Sequence, residues 1–360
     1  MTSTQLLLMT AELLGGLTFF LYGMSVLSDG LESIAGGALE KMLKKVTKNQ
    51  LLSFFLGAGI TIAIQSSSAM TVMLIGLVNS GTVSFCDTFG IIMGSNVGTT
   101  LTSWLLSLAG ISGDNFFLTI LKPMTFAPIL AFIGLLIRML SKREGSKSTG
   151  LIFIGFAILM TGMDFMNSSV SSVQYNDGFQ SLLTAFRSPA AALVISMLFT
   201  GVIQSSAAFI GIVQALALTG SITYEMALPM VLGANIGTCV TALVSSFGAN
   251  RNAKRVAVLH IYINVIGSAL FLAFLYIFKF AGLEFITQKV SMIDVAMMHT
   301  CFNLISTVIL LPFRKAVIRL CELTVRESGG KTDTVLDDKR LFAEKSFRLR
   351  KTAGFNNKGV

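Results

Sequence analysis

The chain has 360 residues, of which 53% are hydrophobic and 12% charged, against about 25% charged in a soluble domain of this size. That balance excludes a single water-soluble core. Stretches at 88–108, 116–138, 151–166, 226–247, 256–278 and 291–312 are long and apolar enough to cross about 30 Å of hydrocarbon as helices. The net charge of +9 does not mark a nucleic-acid binder, because the basic residues fall in short loops and the tail, where they report membrane topology.

In chain order, Met1–Leu8 carries no positive charge and no small-residue cleavage pattern follows, so the first apolar segment, 6–30, reads as a retained helix. A basic cluster of Lys41, Lys44, Lys45 and Lys48 comes next. Residues 51–81 form two apolar arms around a polar turn; each arm of about 14 residues rises only about 21 Å, which predicts a re-entrant hairpin. Spans at 88–108 and 116–138 complete a first membrane repeat, 1–140. A linker, 141–149, follows, with a second basic cluster of Arg138, Lys142, Arg143 and Lys147 around it. The second repeat and a final helix occupy 150–313, with spans at 151–166, 226–247, 256–278 and 291–312 and a hairpin at 189–219. Arg251, Lys254 and Arg255 make a third cluster, and Arg314, Lys315 and Arg319 open a basic tail, 314–360.

The division into repeats rests on self-similarity. Ile64-Gln65-Ser66-Ser67-Ser68-Ala69 is echoed by Ile203-Gln204-Ser205-Ser206-Ala207-Ala208, an offset of 204 − 65 = 139 residues. The same offset maps Gly94-Ser95-Asn96-Val97-Gly98-Thr99 onto Gly233-Ala234-Asn235-Ile236-Gly237-Thr238, Gly81 onto Gly220, and Gly23-Met24 onto Gly162-Met163. Between Thr61 and Thr102 it keeps 13 identities in 42 positions without a gap. With residues 51–81 as a hairpin, all four basic clusters fall on one side. By the excess of Lys and Arg in cytoplasmic loops that side is the cytoplasm, the N-terminus lies outside and the C-terminus inside. The second copy then starts from the opposite face, so the expected fold is an all-α polytopic membrane protein of two inverted repeats, a plan common in secondary transporters.

Broken backbone at membrane depth is tolerated only around a buried cavity, so the turns at Gln65, Ser66, Ser67, Ser68 and Gln204, Ser205, Ser206 are expected to meet near the midplane and hold a ligand. Hydroxyls, amides and the N–H groups opening each second arm suit an oxyanion. No lysine or arginine lies in either turn, which favours release after binding. The Gly-x-Asn-x-Gly-Thr segments fall mid-span, and paired glycines lower helix stability by about 1 kcal/mol each. A broken or closely approached helix is expected there, with Asn96, Thr99, Asn235 and Thr238 and freed carbonyls able to hold sodium.

Lone ionisable residues carry less. Lys122 reads as a snorkelling residue, His260 as interfacial beside the 251–255 loop, and Glu12, Asp164 and His299 do not repeat at the offset. Cys86, Cys239, Cys301 and Cys321 are scattered singly, as packing residues are. No Gly-x-x-x-x-Gly-Lys-[Ser/Thr] loop points to ATP, and neither histidine has an orienting acid for a serine hydrolase, so no enzyme is expected.

At the Gln-Ser-Ser and Gly-x-Asn-x-Gly-Thr pairs the sequence resembles the type II sodium/phosphate cotransporters, over about residues 10–313. The resemblance implies sodium-coupled uptake of inorganic phosphate, with phosphate contacts from Gln65, Ser66, Ser67, Gln204, Ser205 and Ser206, sodium as coupling ion and no other cofactor. Ser68 extends the first copy only, because Ala207 stands in the second. Thr334–Asp338 is similar to the start of a PhoU-like regulatory domain, which is expected to be absent or truncated with the chain ending at Val360. Hydroxyl and amide donors alone leave open another oxyanion, a carboxylate, or a phosphate sensor without flux. Moving a dianion inward against 100 mV costs about 4.6 kcal/mol, which two co-transported sodium ions cancel.

Overall fold

The computed structural model describes residues 3–35, 49–111, 119–120, 122–173 and 176–326; the 41–48 basic cluster and Thr334–Asp338 lie outside them. A first unit runs to Thr324, and of the second only Val325 and Arg326 are described. Within the described residues the chain is helical, with no strand. Helix α1 covers Ser3–Ala35, and a first hairpin follows as α2 (Gln50–Ile64) and α3 (Ser67–Asn79). Next come α4 (Thr88–Ser107), α5 (Pro123–Leu140), α6 (Glu144–Val173) and the short α7 (Asp177–Thr184). A second hairpin, α8 (Pro189–Ile203) and α9 (Ser206–Leu218), leads into α10 (Tyr224–Ser245), α11 (Arg251–Phe280), α12 (Met292–Leu310) and α13 (Arg314–Thr324).

The starts have local causes. Asn49 Oδ1 accepts from Leu51 and Leu52 N–H ahead of α2, Pro189 sits at the first position of α8, and Ser291 with Asp294 forms a reciprocal capping box on α12. Hairpin arms of 15 and 13 residues are too short to span hydrocarbon alone. Among the described residues six helices, α1, α5, α6, α10, α11 and α12, are long and apolar enough to cross a membrane. The expected span at 88–108 is a helix but falls outside that set, because Ser95, Asn96, Thr99, Thr100, Thr102 and Ser103 make it polar, and all six are buried inside the protein.

Three expectations are corrected. The 141–149 linker shrinks to Ser141–Arg143, since α6 begins at Glu144, whose carboxylate suits a helix N-terminus and pairs with Lys147 at 2.7 Å. The tail begins later than 314: α13 packs on α11 through buried Val317 and Cys321, with Tyr262 and Thr324 hydroxyls 2.7 Å apart. Burial raises the Cys321 thiol pKa to about 12. The third correction concerns the Gly-x-Asn-x-Gly-Thr segments, because α4 and α10 run through them unbroken.

The glycines there serve close approach. A Cβ on Gly94 would lie 1.8 Å from Phe54 O of α2, and one on Gly233 would lie 2.3 Å from Leu193 O of α8. Residue 54 + 139 is 193, so each motif helix takes the first arm of its own hairpin at the same register. Each second arm packs on both motif helices, that of its own half and that of the other, so α3 reaches α10 as well as α4 and α9 reaches α4 as well as α10. The halves therefore interlock around α4 and α10.

Helices α1 and α6 run antiparallel. Gly16 meets Gly162 and Gly23 meets Gly155, two contacts that the 139 offset exchanges. At one end of the bundle Asn250 N–H donates to Asn79 Oδ1 at 2.7 Å, and Arg314 reaches Cys86 O and Asp87, which gathers the feet of the first hairpin with the loops before α11 and α13. At the other end Gly110 abuts Met292, and Thr223 bridges Lys289 beside the feet of the second hairpin.

Candidate functional site

Each hairpin bends at a glutamine in the left-handed region, Gln65 at φ 53° and ψ 22° and Gln204 at φ 58° and ψ 24°. They are the only non-glycine residues with positive φ among those described. Such a conformation costs about 1–3 kcal/mol and gathers at ligand sites, where the surroundings impose it. Glycine would adopt it at less cost, but at Gln65 the side chain makes hydrogen bonds that glycine would lack.

The serine after each glutamine caps the second arm. Ser66 Oγ accepts from Ala69 N–H at 3.1 Å and Ser205 Oγ from Ala208 N–H at 3.2 Å, which leaves each hydroxyl hydrogen free to donate. The first N–H groups of α3 and α9 are likewise without an intrahelical acceptor. Ser67 and Ser206 are buried at the first helical position, Ser68 is half-buried, and their hydroxyls form no hydrogen bond among the described residues. The turns thus present unspent donors.

The motif helices present the opposite. Thr99 donates to Ser95 O and Thr238 to Ala234 O, at 3.1 and 2.9 Å. Asn96 Nδ2 donates to Asn264 Oδ1 at 3.2 Å, and Asn235 Nδ2 to Val231 O at 3.0 Å. All four are buried. Because the helices stay intact, no carbonyls are freed; what remains are the hydroxyl lone pairs of Thr99 and Thr238 and the amide oxygens of Asn96 and Asn235.

The halves differ in how the glutamines are held. Gln65 Oε1 accepts from Thr102 at 2.7 Å and its Nε2 donates to Ile62 O at 2.8 Å. The counterpart of Thr102 is Thr241, whose buried hydroxyl has no partner among the described residues, while the Gln204 side chain is exposed and makes no hydrogen bond among them. A second pair behaves alike: Thr61 and Ser95 hydroxyls meet at 2.7 Å, but Ala234 stands at the position equivalent to Ser95 and the Thr200 hydroxyl has no partner among the described residues. Among the described residues no hydrogen bond joins one turn to the other; the two are linked through the crossed packing of α3 and α9.

Around α4 runs a polar seam that single motifs did not expose. Ser103 Oγ lies 2.8 Å from His299 Nδ1, and Gln214 Nε2 donates to Ser103 O and Met292 O at 2.9 and 3.0 Å. Asn264 joins α4 to α11 and also donates to His260 O at 2.9 Å. His260 is not interfacial: it stands nine residues into α11, about 14 Å along the helix, and is buried against α10 with Cys239. Thr102 and Thr241 could have been found as one more identity at the 139 offset, whereas Asn264, Gln214 and Ser103 have no such signal. Glu12 accepts from Ser169 at 3.4 Å, and Lys122 stands at the N-cap of α5 without a capping bond.

These elements define a class: an all-α polytopic membrane protein with two equivalent strained turns, each set on a polar, glycine-bearing helix. The chain belongs to the Na+/Pi-cotransporter family, which its sequence matches over residues 19–168 and again over 158–306, one match to each half. It is 31% identical to an uncharacterized protein, YqeW, of Bacillus subtilis (strain 168) over 312 residues, 85% of this chain and 95% of that protein. It is 25% identical over 331 residues to the putative inorganic phosphate export protein YjbB of Escherichia coli (strain K12), covering 92% of this chain and 58% of YjbB. A shorter stretch of 98 residues, 27% of this chain and 14% of the relative, is 31% identical to sodium-dependent phosphate transport protein 2B of Homo sapiens. No solved structure matches.

Proposed function

We propose that this chain is a secondary active transporter that moves inorganic phosphate across the cytoplasmic membrane together with sodium, in the direction of uptake. The observation that carries this reading is the division of hydrogen-bonding capacity. Ser66, Ser67, Ser68, Ser205 and Ser206 keep donors for an oxyanion, with Gln65 and Gln204 shaping the turns, while Asn96, Thr99, Asn235 and Thr238 have committed donors and keep oxygen lone pairs for a hard cation. Membership in the Na+/Pi-cotransporter family and the names of the phosphate-transporting relatives support the same substrate pair. The antiparallel α1 and α6, with glycine contacts exchanged by the offset, support an inverted arrangement of the halves, so that the hairpins enter from opposite faces. No step of the reading needs an enzyme, ATP or a nucleic acid.

Export is a second reading, favoured by the name of the E. coli relative. Direction in a symporter follows the gradients, so the two readings share one site. Purified protein in proteoliposomes with clamped voltage is expected to accumulate labelled phosphate when sodium is placed outside, and sulfate or dicarboxylates in excess are not expected to compete. Flux that ignores the sodium gradient, or that sulfate abolishes, would sink the assignment. Flux only from loaded vesicles outward under either gradient would decide for export, and phosphate binding without flux for a sensor.

A further inference from the structure

The base of the second hairpin holds a cavity of about 440 Å³ outside the turns described above. Arg187, one residue before the Ser188 cap of α8, lines it from one foot of the hairpin, and Ser221 and Thr223, just after α9, line it from the other. Lys279 from the end of α11, Thr287 and Glu225 complete the polar wall. Two cations thus face one carboxylate, and that carboxylate is already paired with Lys279. Arg187 is exposed and forms no ion pair among the described residues, so its guanidinium keeps its donors. Thr223 stands at the N-cap of α10, and its hydroxyl makes no capping or other hydrogen bond among the described residues.

The same chemistry stands at the feet of the first hairpin in sequence. An offset of 187 − 48 = 139 maps Arg187 onto Lys48, and the same shift maps Ser221 onto Thr82 and Thr223 onto Ser84. A cation before the first arm and two hydroxyls after the second therefore recur, although none of the three is an identity.

We infer that this cavity is a capture site for a phosphate oxyanion, a first station from which the ion passes to the turn at Gln204–Ser206. Arg187 and Lys279 supply the attraction and the Thr223 hydroxyl a directed donor, as charge-assisted contacts to phosphate require. Glu225 keeps the station weak by opposing a second negative charge, which suits onward release. From the foot of α8 to its turn is 15 residues, about 22 Å, so the two stations are separate sites.

The inference rests on the phosphate-transport reading, and its test separates the two. In vesicles of neutral phosphatidylcholine, Arg187→Gln is expected to raise the KM for phosphate about threefold to tenfold with maximal flux unchanged, the effect of removing the cavity cation that Glu225 does not pair. The rise of wild-type KM with added salt should flatten in the variant, and Arg187→Lys should restore most of both. Unchanged KM and unchanged salt dependence would overturn the inference, as would a fall in maximal flux that Arg187→Lys does not rescue. The comparison is repeated with anionic phosphatidylglycerol added. A difference between wild type and Arg187→Gln that appears only with the anionic lipid would overturn free phosphate in favour of a lipid headgroup. If wild type carries no sodium-dependent phosphate flux, the transport reading fails. Equilibrium binding of labelled phosphate to the purified full chain still judges the cavity: binding lost in Arg187→Gln but kept in Ser205→Ala supports it, and binding equal to wild type in Arg187→Gln overturns it.

Discussion

Gln65 and Gln204 take the same rare backbone conformation, yet only Gln65 has its side chain secured. That difference makes Thr102 and Thr241 unequal in stability although they are equivalent in sequence. Thr102→Val leaves Gln65 Oε1 without its donor and is expected to cost about 1 kcal/mol, whereas Thr241→Val removes a buried hydroxyl that has no partner among the described residues and is expected to be neutral or stabilising. Thermal unfolding of the two variants in detergent would show it, and equal losses would mean the halves are held alike. At the caps, on the proposed reading, Ser66→Ala and Ser205→Ala each remove a donor to a charged ligand, worth about 1.5–3 kcal/mol, so phosphate flux is expected to fall tenfold or more, about 1.4 kcal/mol per decade, with membrane yield reduced far less. Matched loss of yield and flux would assign these serines to folding alone. Asn235→Ala is expected to move the sodium concentration for half-maximal flux upward; a superimposable sodium curve at normal yield would remove Asn235 from the cation site.

Between helices, the paired glycines of α4 and α10 act as contact surfaces. A methyl group at Gly94 would drive into the Phe54 carbonyl, backbone against backbone, where no rotamer change brings relief. Gly94→Ala and Gly233→Ala are therefore expected to cost about 1–3 kcal/mol, read as a lower melting temperature, while Gly76→Ala, with nothing within 4 Å of its Cβ, is expected to be tolerated. A Gly94→Ala protein as stable as wild type would contradict the close approach. The recurrence of these glycines at 139 residues is legible in the sequence, but their purpose is not. Two glycines four apart lower helix propensity whether they mark a break or a contact, and only the partner helix distinguishes the two.

At the scale of the whole molecule, the halves interlock because each second arm packs on both polar helices, α3 on α4 and α10 and α9 on α10 and α4, so each turn is tied to the other half's polar helix as well as its own. On the proposed reading, displacing one hairpin disturbs both motif helices, which gives a mechanical basis for coupling phosphate to sodium. The proposed inverted topology is tested by single-cysteine labelling in a background without the native cysteines. Lys142→Cys is expected to react with an impermeant thiol reagent from the cytoplasmic side and Glu284→Cys from the opposite side. Labelling of both from one side would refute it.

Composition and the 139-residue offset settled locally what each stretch is: helices with apolar faces, two short hairpins around Gln-Ser-Ser, and two polar segments that repeat. These follow from residues close in the chain, through hydropathy, capping and arm length. The tertiary structure alone decided which groups meet. Asn96 pairs with Asn264, Ser103 with His299, Gln214 with α4, and Arg187 with the far end of α11 around one cavity. Hydrogen bonds in a membrane bundle are made by whatever side chain the packing brings within about 3 Å, and no local periodicity encodes that distance.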